Sequence, residues 1–171
     1  NDGSQIKKEH LMTTIATEDF IQSIAESLQY ISYYHPIDFV QAMHQAYKKE
    51  KNKAAKDAIG QILINSKMCA IGKRPICQDT GIVNCFVKIG TECRFDKAVT
   101  VQEMVDQGVT IAYSRKENPL RYSVVTPPHG DRKNTRNNAP AIVYTEIVPG
   151  NNIEILIAAK GGGSENKSKF T

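Results

Sequence analysis

Two stretches of this chain carry residue types able to hold and transform a small anion. The first is Arg74-Pro75-Ile76-Cys77-Gln78-Asp79-Thr80-Gly81. Its thiol stands beside Lys73 and Arg74, cations that favour the thiolate needed by a nucleophile or a metal ligand. Gln78 and Asp79 add an amide and a carboxylate suited to the hydroxyl or carboxyl groups of a small polar substrate. The same Asp79-Thr80-Gly81 run also reads as a plain turn before a strand. The second stretch is Lys160-Gly161-Gly162-Gly163-Ser164-Glu165-Asn166-Lys167-Ser168. Glycines let backbone N–H groups approach an anion closely, and Ser164 suits the N-cap of a following helix. Against G-x-x-x-x-G-K-[ST] it matches at Gly161, Lys167 and Ser168, but Asn166 stands where the second glycine belongs, which argues against a nucleotide phosphate loop. A carboxylate-binding loop and a simple strand-to-helix turn both remain open on the residues alone.

Cys69, Cys77, Cys85 and Cys93 recur every eight residues. No closely spaced Cys or His pair of the zinc type is present. Cys69 falls at the end of a helical pattern and Cys85 inside an apolar strand, so both read as small core residues. Cys93 follows the Gly90-Thr91-Glu92 turn and reads as exposed. The polar, basic run His129 to Asn138 reads as a solvated loop whose cations can face an anion or a partner surface.

These segments need a scaffold to present them. Phe20, Ile24, Leu28 and Ile31 recur on one face of a helix with Thr17 as the expected N-cap, and Pro36 separates it from a second helix striped by Phe39 or Val40, Met43 and Tyr47. Ala55, Ile59, Ile62 and Leu63 mark a third helix, expected to end near Met68. From Gly81 the period drops to two, with Val83, Cys85, Val87 and Ile89 on the buried face of a strand. Thr100 and Glu103 form a capping-box signature before a helix buried at Val101, Val105, Val109 and Ala112. Strands are expected over Arg121 to Thr126, Ala141 to Val148 and Ile153 to Ala159, the last two joined by a Pro149-Gly150 turn. Helices followed by a mixed sheet with at least one further helix predict an α+β (mixed α/β) fold.

The chain has 171 residues, 40% hydrophobic and 23% charged, with no Trp and a net charge of +4. That balance excludes disordered, collagenous and disulfide-scaffold classes and suits one core. The expected organisation is a disordered tail over 1–16 and a single domain over 17–171. Its longest apolar runs, such as Ile153 to Ala159, are too short to cross a bilayer. The first ten residues lack an apolar signal core, so a cytoplasmic address is expected. The charge is too mild to argue for nucleic acid.

Taken together, Ile76-Cys77-Gln78-Asp79-Thr80-Gly81, Leu120-Arg121-Tyr122-Ser123 and Ala158-Ala159-Lys160-Gly161-Gly162-Gly163-Ser164-Glu165-Asn166 closely resemble the class I, iron-sulfur fumarate hydratases and the related tartrate dehydratases. The resemblance runs from about Glu18 and includes the Pro36 helix start and Ile62-Leu63-Ile64-Asn65-Ser66. It implies a 4Fe-4S cluster held by three cysteines, with Cys77 as the metal ligand in this chain. It also implies that Gln78, Asp79, Arg121 and Gly162 contact a small dicarboxylate substrate. In the family the other two ligands lie downstream of the glycine-rich loop, and the catalytic base belongs to a separate C-terminal domain or β subunit. The chain is therefore expected to be the N-terminal part of the α region, inactive alone and completed by the remainder of that region and by the C-terminal or β-subunit domain, in a homo-oligomer. Tartrate dehydratase, or a non-catalytic binding or assembly module using Arg132 and Arg136, are the alternatives.

Overall fold

The computed structural model describes residues 12–77 and 79–161. Among these residues four helices, α1 (Thr17–Tyr33), α2 (Ile37–Lys49), α3 (Lys53–Gly72) and α4 (Val101–Tyr113), accompany seven strands. The strands are β1 (Thr13–Ile15), β2 (Ile82–Gly90), β3 (Cys93–Phe95), β4 (Val125–Thr126), β5 (Lys133–Asn134), β6 (Ile142–Val148) and β7 (Ile153–Lys160). The α+β expectation holds.

The main sheet runs β6-β2-β7, with β2 parallel to β6 and antiparallel to β7. The period-two pattern of β2 does what alternation requires: Val83, Cys85 and Val87 are buried on one face, while Phe86 on the other is exposed and stacks on Tyr144 of β6. Helices α1 and α4 cover the buried face, joining Phe20, Ile24, Leu28, Met104, Val105 and Val109 to those strand residues in one core. α4 begins with the expected capping box, Thr100 and Glu103 satisfying each other's backbone N–H groups.

Three local expectations change. Thr17 is not the cap of α1: Ala16 holds that position, and the Thr17 N–H and hydroxyl both donate to the Asp96 carboxylate just beyond β3. A distant side chain thus supplies the oxygen that Thr17 was expected to provide. Thr13–Ile15, inside the expected tail, pairs in parallel with Cys93–Phe95. The Pro149–Asn152 link joins two strands that are not neighbours, because β6 and β7 flank β2 on opposite sides. The link passes across the end of β2, where Gly90 donates its N–H to Asn152 and a Cβ on Gly90 would collide with the Gly150 carbonyl.

α2 and α3 pack on each other outside this core. The α2 stripe faces α3 only partly buried, with Tyr47 against Gly60, and no α2 residue is fully buried. α3 runs past Met68 to Gly72, where Lys73 caps it in the left-handed region at φ +48°. Only Val125–Thr126 of the expected 121–126 strand enters a ladder, with β5.

Candidate functional site

Beyond α3 the chain is pinned on both sides. Arg74 donates its N–H to Cys69 O (3.1 Å), and Ile76 donates to Ser32 O at the end of α1 (2.8 Å). The Asn65 side chain donates to Ile76 O (3.1 Å), and the Cys69 thiol lies 3.6 Å from Pro75 O. These bonds end at Cys77, whose side chain is exposed and whose sulfur accepts the Asp79 N–H at 3.4 Å. An N–H aimed at a sulfur stabilises negative charge on it, which suits a thiolate ligand. Cys77, Asp79, Thr80, Tyr113, Ser32 and Ala159 are among the walls of a cavity of about 250 Å³.

The two sequence stretches meet here. Antiparallel pairing of Ile82 with Lys160 brings the start of β2 against the end of β7. Gly81 adopts φ +77°, and a Cβ there would lie 2.5 Å from the Lys160 carbonyl carbon and 2.8 Å from the Gly161 nitrogen. Glycine is required on both counts, since conformation and space each exclude a side chain. Gly161 is crowded from the other direction: a Cβ would lie 2.9 Å from an Asp79 carboxylate oxygen. Residues some eighty positions apart in the sequence thus lie in contact, and the first glycine of the glycine-rich loop touches the carboxylate of the cysteine loop.

Arg121 joins them through Thr80, whose hydroxyl donates to Arg121 O at 2.7 Å, while its own side chain is exposed. The Thr80 carbonyl in turn accepts from the Tyr113 hydroxyl at 2.6 Å. Burial at the foot of the cavity pushes the Tyr113 phenol up to about 12, so it stays a proton donor to the backbone throughout the working range. Tyr113 escaped the sequence reading because a tyrosine at the end of a helix carries no local mark of the loop it will meet. Gln78 and Gly162, with Gly163 to Ser168, lie outside the described residues.

The remaining cysteines differ from Cys77 in being buried or half-buried. Cys69 and Cys85 are buried, as expected, and burial pushes the Cys85 thiol up to about 11. Cys93 is half-buried and pairs with Thr13. Among the described residues no group of three or more His, Cys, Asp or Glu side chains could hold a metal ion. The exposed Cys77, with its N–H contact and adjoining cavity, fits one ligand position of a larger set; the described residues do not supply the rest.

The sequence profile of the family described as fumarate hydratase (fumerase) matches residues 21–171. A Methanocaldococcus jannaschii protein named "Putative L(+)-tartrate dehydratase subunit alpha" is 33% identical over 148 residues, covering 85% of this chain and 51% of that protein. The L(+)-tartrate dehydratase subunit alpha of Escherichia coli K12 is 28% identical over 150 residues, 86% of this chain and 48% of that one. The anaerobic class I fumarate hydratase of the same strain is 37% identical over 109 residues, 63% of this chain and 19% of the enzyme. The chain thus spans about half the length of the tartrate dehydratase subunits it matches. No helix among the described residues is long and apolar enough to cross a membrane.

Proposed function

The chain belongs to the fumarate hydratase family, and on that premise we propose that it forms the N-terminal part of the α region of a hydro-lyase adding water reversibly to fumarate to give malate. The observation that supports this reading is that Cys77, Asp79 and Thr80 line one cavity, with Gly161 against the Asp79 carboxylate and the Arg121 carbonyl bonded to the Thr80 hydroxyl. The motifs that resemble the family's site converge in space, as a shared substrate requires.

Each residue has a task its chemistry suits. Arg121 takes one substrate carboxylate through the two parallel hydrogen bonds a guanidinium offers. Gly162 presents backbone N–H to an oxyanion without adding charge. Gln78 and Asp79 orient the polar groups of the C4 acid, Asp79 being seated against Gly161. Cys77 serves as one thiolate ligand of a 4Fe-4S cluster, the other two ligands coming from the remainder of the α region and not from Cys69, Cys85 or Cys93. When bound, that group supplies a Lewis-acidic iron for the hydroxyl that is lost or gained. The catalytic base comes from the C-terminal domain or a partner subunit, so the 171-residue chain alone should not turn over substrate.

A second reading, a tartrate dehydratase α subunit, is favoured by the match to two proteins of that name across 85% and 86% of this chain. Anaerobic reconstitution of the complete enzyme, followed by parallel assays with fumarate and L(+)-tartrate, distinguishes the two. Fumarate hydration at least about tenfold more efficient than tartrate dehydration supports the first reading, and the reverse ratio the second. Wild-type activity unaffected by Cys77→Ser would remove the ligand assignment from both.

A further inference from the structure

The polar run ending at Asn138, expected as a solvated loop, is in part the reverse. Asn138 is 0% exposed and adopts φ +62°, a left-handed conformation that asparagine tolerates better than most residues. Its side-chain oxygen accepts the N–H groups of Ser123 (2.6 Å) and Val124 (3.3 Å). Its amide nitrogen donates to the Gly81 carbonyl at 3.0 Å. One buried amide therefore spans the segment that follows Arg121 and the loop that follows Asp79.

Neighbouring bonds serve the same segment. The Asn134 side chain donates to Tyr122 O (3.0 Å), and Thr135 donates its N–H to Val124 O (3.0 Å). Thr80 donates to Arg121 O. Residues 121–124 lack a strand ladder, yet side chains from 134 and 138 and the Thr80 hydroxyl take up the backbone groups a ladder would have used. Those side chains, with the Thr135 N–H and the β4–β5 ladder that follows, fix the register of this segment.

We infer that Asn138 is a positioning residue for Arg121: it ties the Arg121 segment to the Gly81 carbonyl and so sets where the guanidinium stands relative to the Cys77–Gly81 loop. The inference rests on the reading that Arg121 binds substrate carboxylate. Its chemistry separates into two halves. The side-chain oxygen fixes the Arg121 segment, and the amide N–H joins that segment to the cysteine loop. Asn138→Gly keeps the positive φ but removes both halves, whereas Asn138→Asp keeps an acceptor for Ser123 and Val124 and loses the donor to Gly81.

The test pairs steady-state kinetics of the complete enzyme with amide hydrogen exchange of the 171-residue chain. In the chain, Ser123 and Val124 amides should exchange about a hundredfold faster in Asn138→Gly than in wild type, with Asn138→Asp restoring much of that protection. In the enzyme, Asn138→Gly should raise KM for the dicarboxylate about tenfold while kcat of the folded fraction changes less than about threefold, and Asn138→Asp should fall between. An unchanged KM with only a lowered melting temperature would reduce Asn138 to a buried structural amide and overturn the inference, as would unprotected Ser123 and Val124 amides in wild type. Wild-type enzyme that turns over neither fumarate nor tartrate would instead overturn the functional reading, with the exchange rates still deciding whether the tie exists.

Discussion

The helices fall into two pairs that relate very differently to the rest of the molecule. α1 and α4 lie on the sheet, and Ile24, Val105, Val109 and Ala112 are all 0% exposed. α2 and α3 pack mainly on each other, and along them Ile37, Ile64, Met68 and Ile71 stand 61–75% exposed. α1, α2 and α4 each carry a clear apolar stripe and α3 only a weak one, and the first pair alone packs its apolar face on the sheet. The second is held by a few polar ties, among them the His35 ring against the Ser66 hydroxyl at 3.0 Å and the Asn65 bond to Ile76. The cysteine loop lies between the pairs: its Gly81 end belongs to the sheet and its Lys73 end to α3. Cys77 is therefore tied to α1 and α3 through residues 74–76 and to the sheet side through Thr80 and Gly81.

The contrast can be broken most forcefully at its strong end. Ile24→Ala should cost about 4 kcal/mol in urea unfolding, since the site sits among α4 and sheet residues that cannot relax into the gap. A loss under about 1 kcal/mol would mean that the core is looser than its burial implies. Gly108→Ala attacks the same contact by crowding: the added Cβ would lie 2.6 Å from the Ile24 Cβ, and about 2 kcal/mol should be lost as the helices part. Unchanged stability there would contradict the close approach of α1 and α4. On the weaker pair, Asn52 caps α3 by accepting the Ala55 N–H at 3.2 Å, so Asn52→Ala should cost about 1 kcal/mol. The loss should appear as faster amide exchange in α3 rather than in α4.

Acidity should separate the pairs as well. Burial holds the His35 imidazole below its ordinary 6.5, so the unfolded state takes up the proton first as pH falls. The stabilisation is complete above about 6.5 and is lost as pH drops through the folded value. Between pH 7.5 and 5.5, α3 amides near Ser66 should open more readily after correction for intrinsic exchange, while those around Ile24 should not, and His35→Gln should flatten the response. Equal change in both regions would remove His35 as the cause. The smallest effect belongs to Ile71→Ala on the exposed face of α3, expected within about 0.5 kcal/mol of wild type by the same urea measurement.

What the sequence made readable was local. The alternation of Val83, Cys85 and Val87 and the Thr100–Glu103 box need only their neighbours to act, and both appear as expected. Thr17 marked a helix start correctly, but its partner was Asp96, beyond any local pattern. Gln29 and Asn118 form a buried amide pair at 2.7 Å between α1 and the segment after α4, and neither carries a signal in its own surroundings. Of the candidate site, Cys77, Asp79 and Arg121 stood out through their motifs. Tyr113 and Asn138 did not, because their roles are bonds to backbone atoms of segments distant in sequence.

The placing of β2 between β6 and β7 also governs the order in which the chain can assemble. β2 is made first, but its partner strands follow only after residues 142 and 153. Until both arrive, the most buried of the described strands presents two open edges, and its cover comes from α1 and α4. Pairing across such separations is slow, because the intervening loop must close before any ladder bond repays it. Chains halted on the ribosome before residue 142 should therefore be the aggregation-prone species, with chaperone demand falling sharply once β7 has been synthesised.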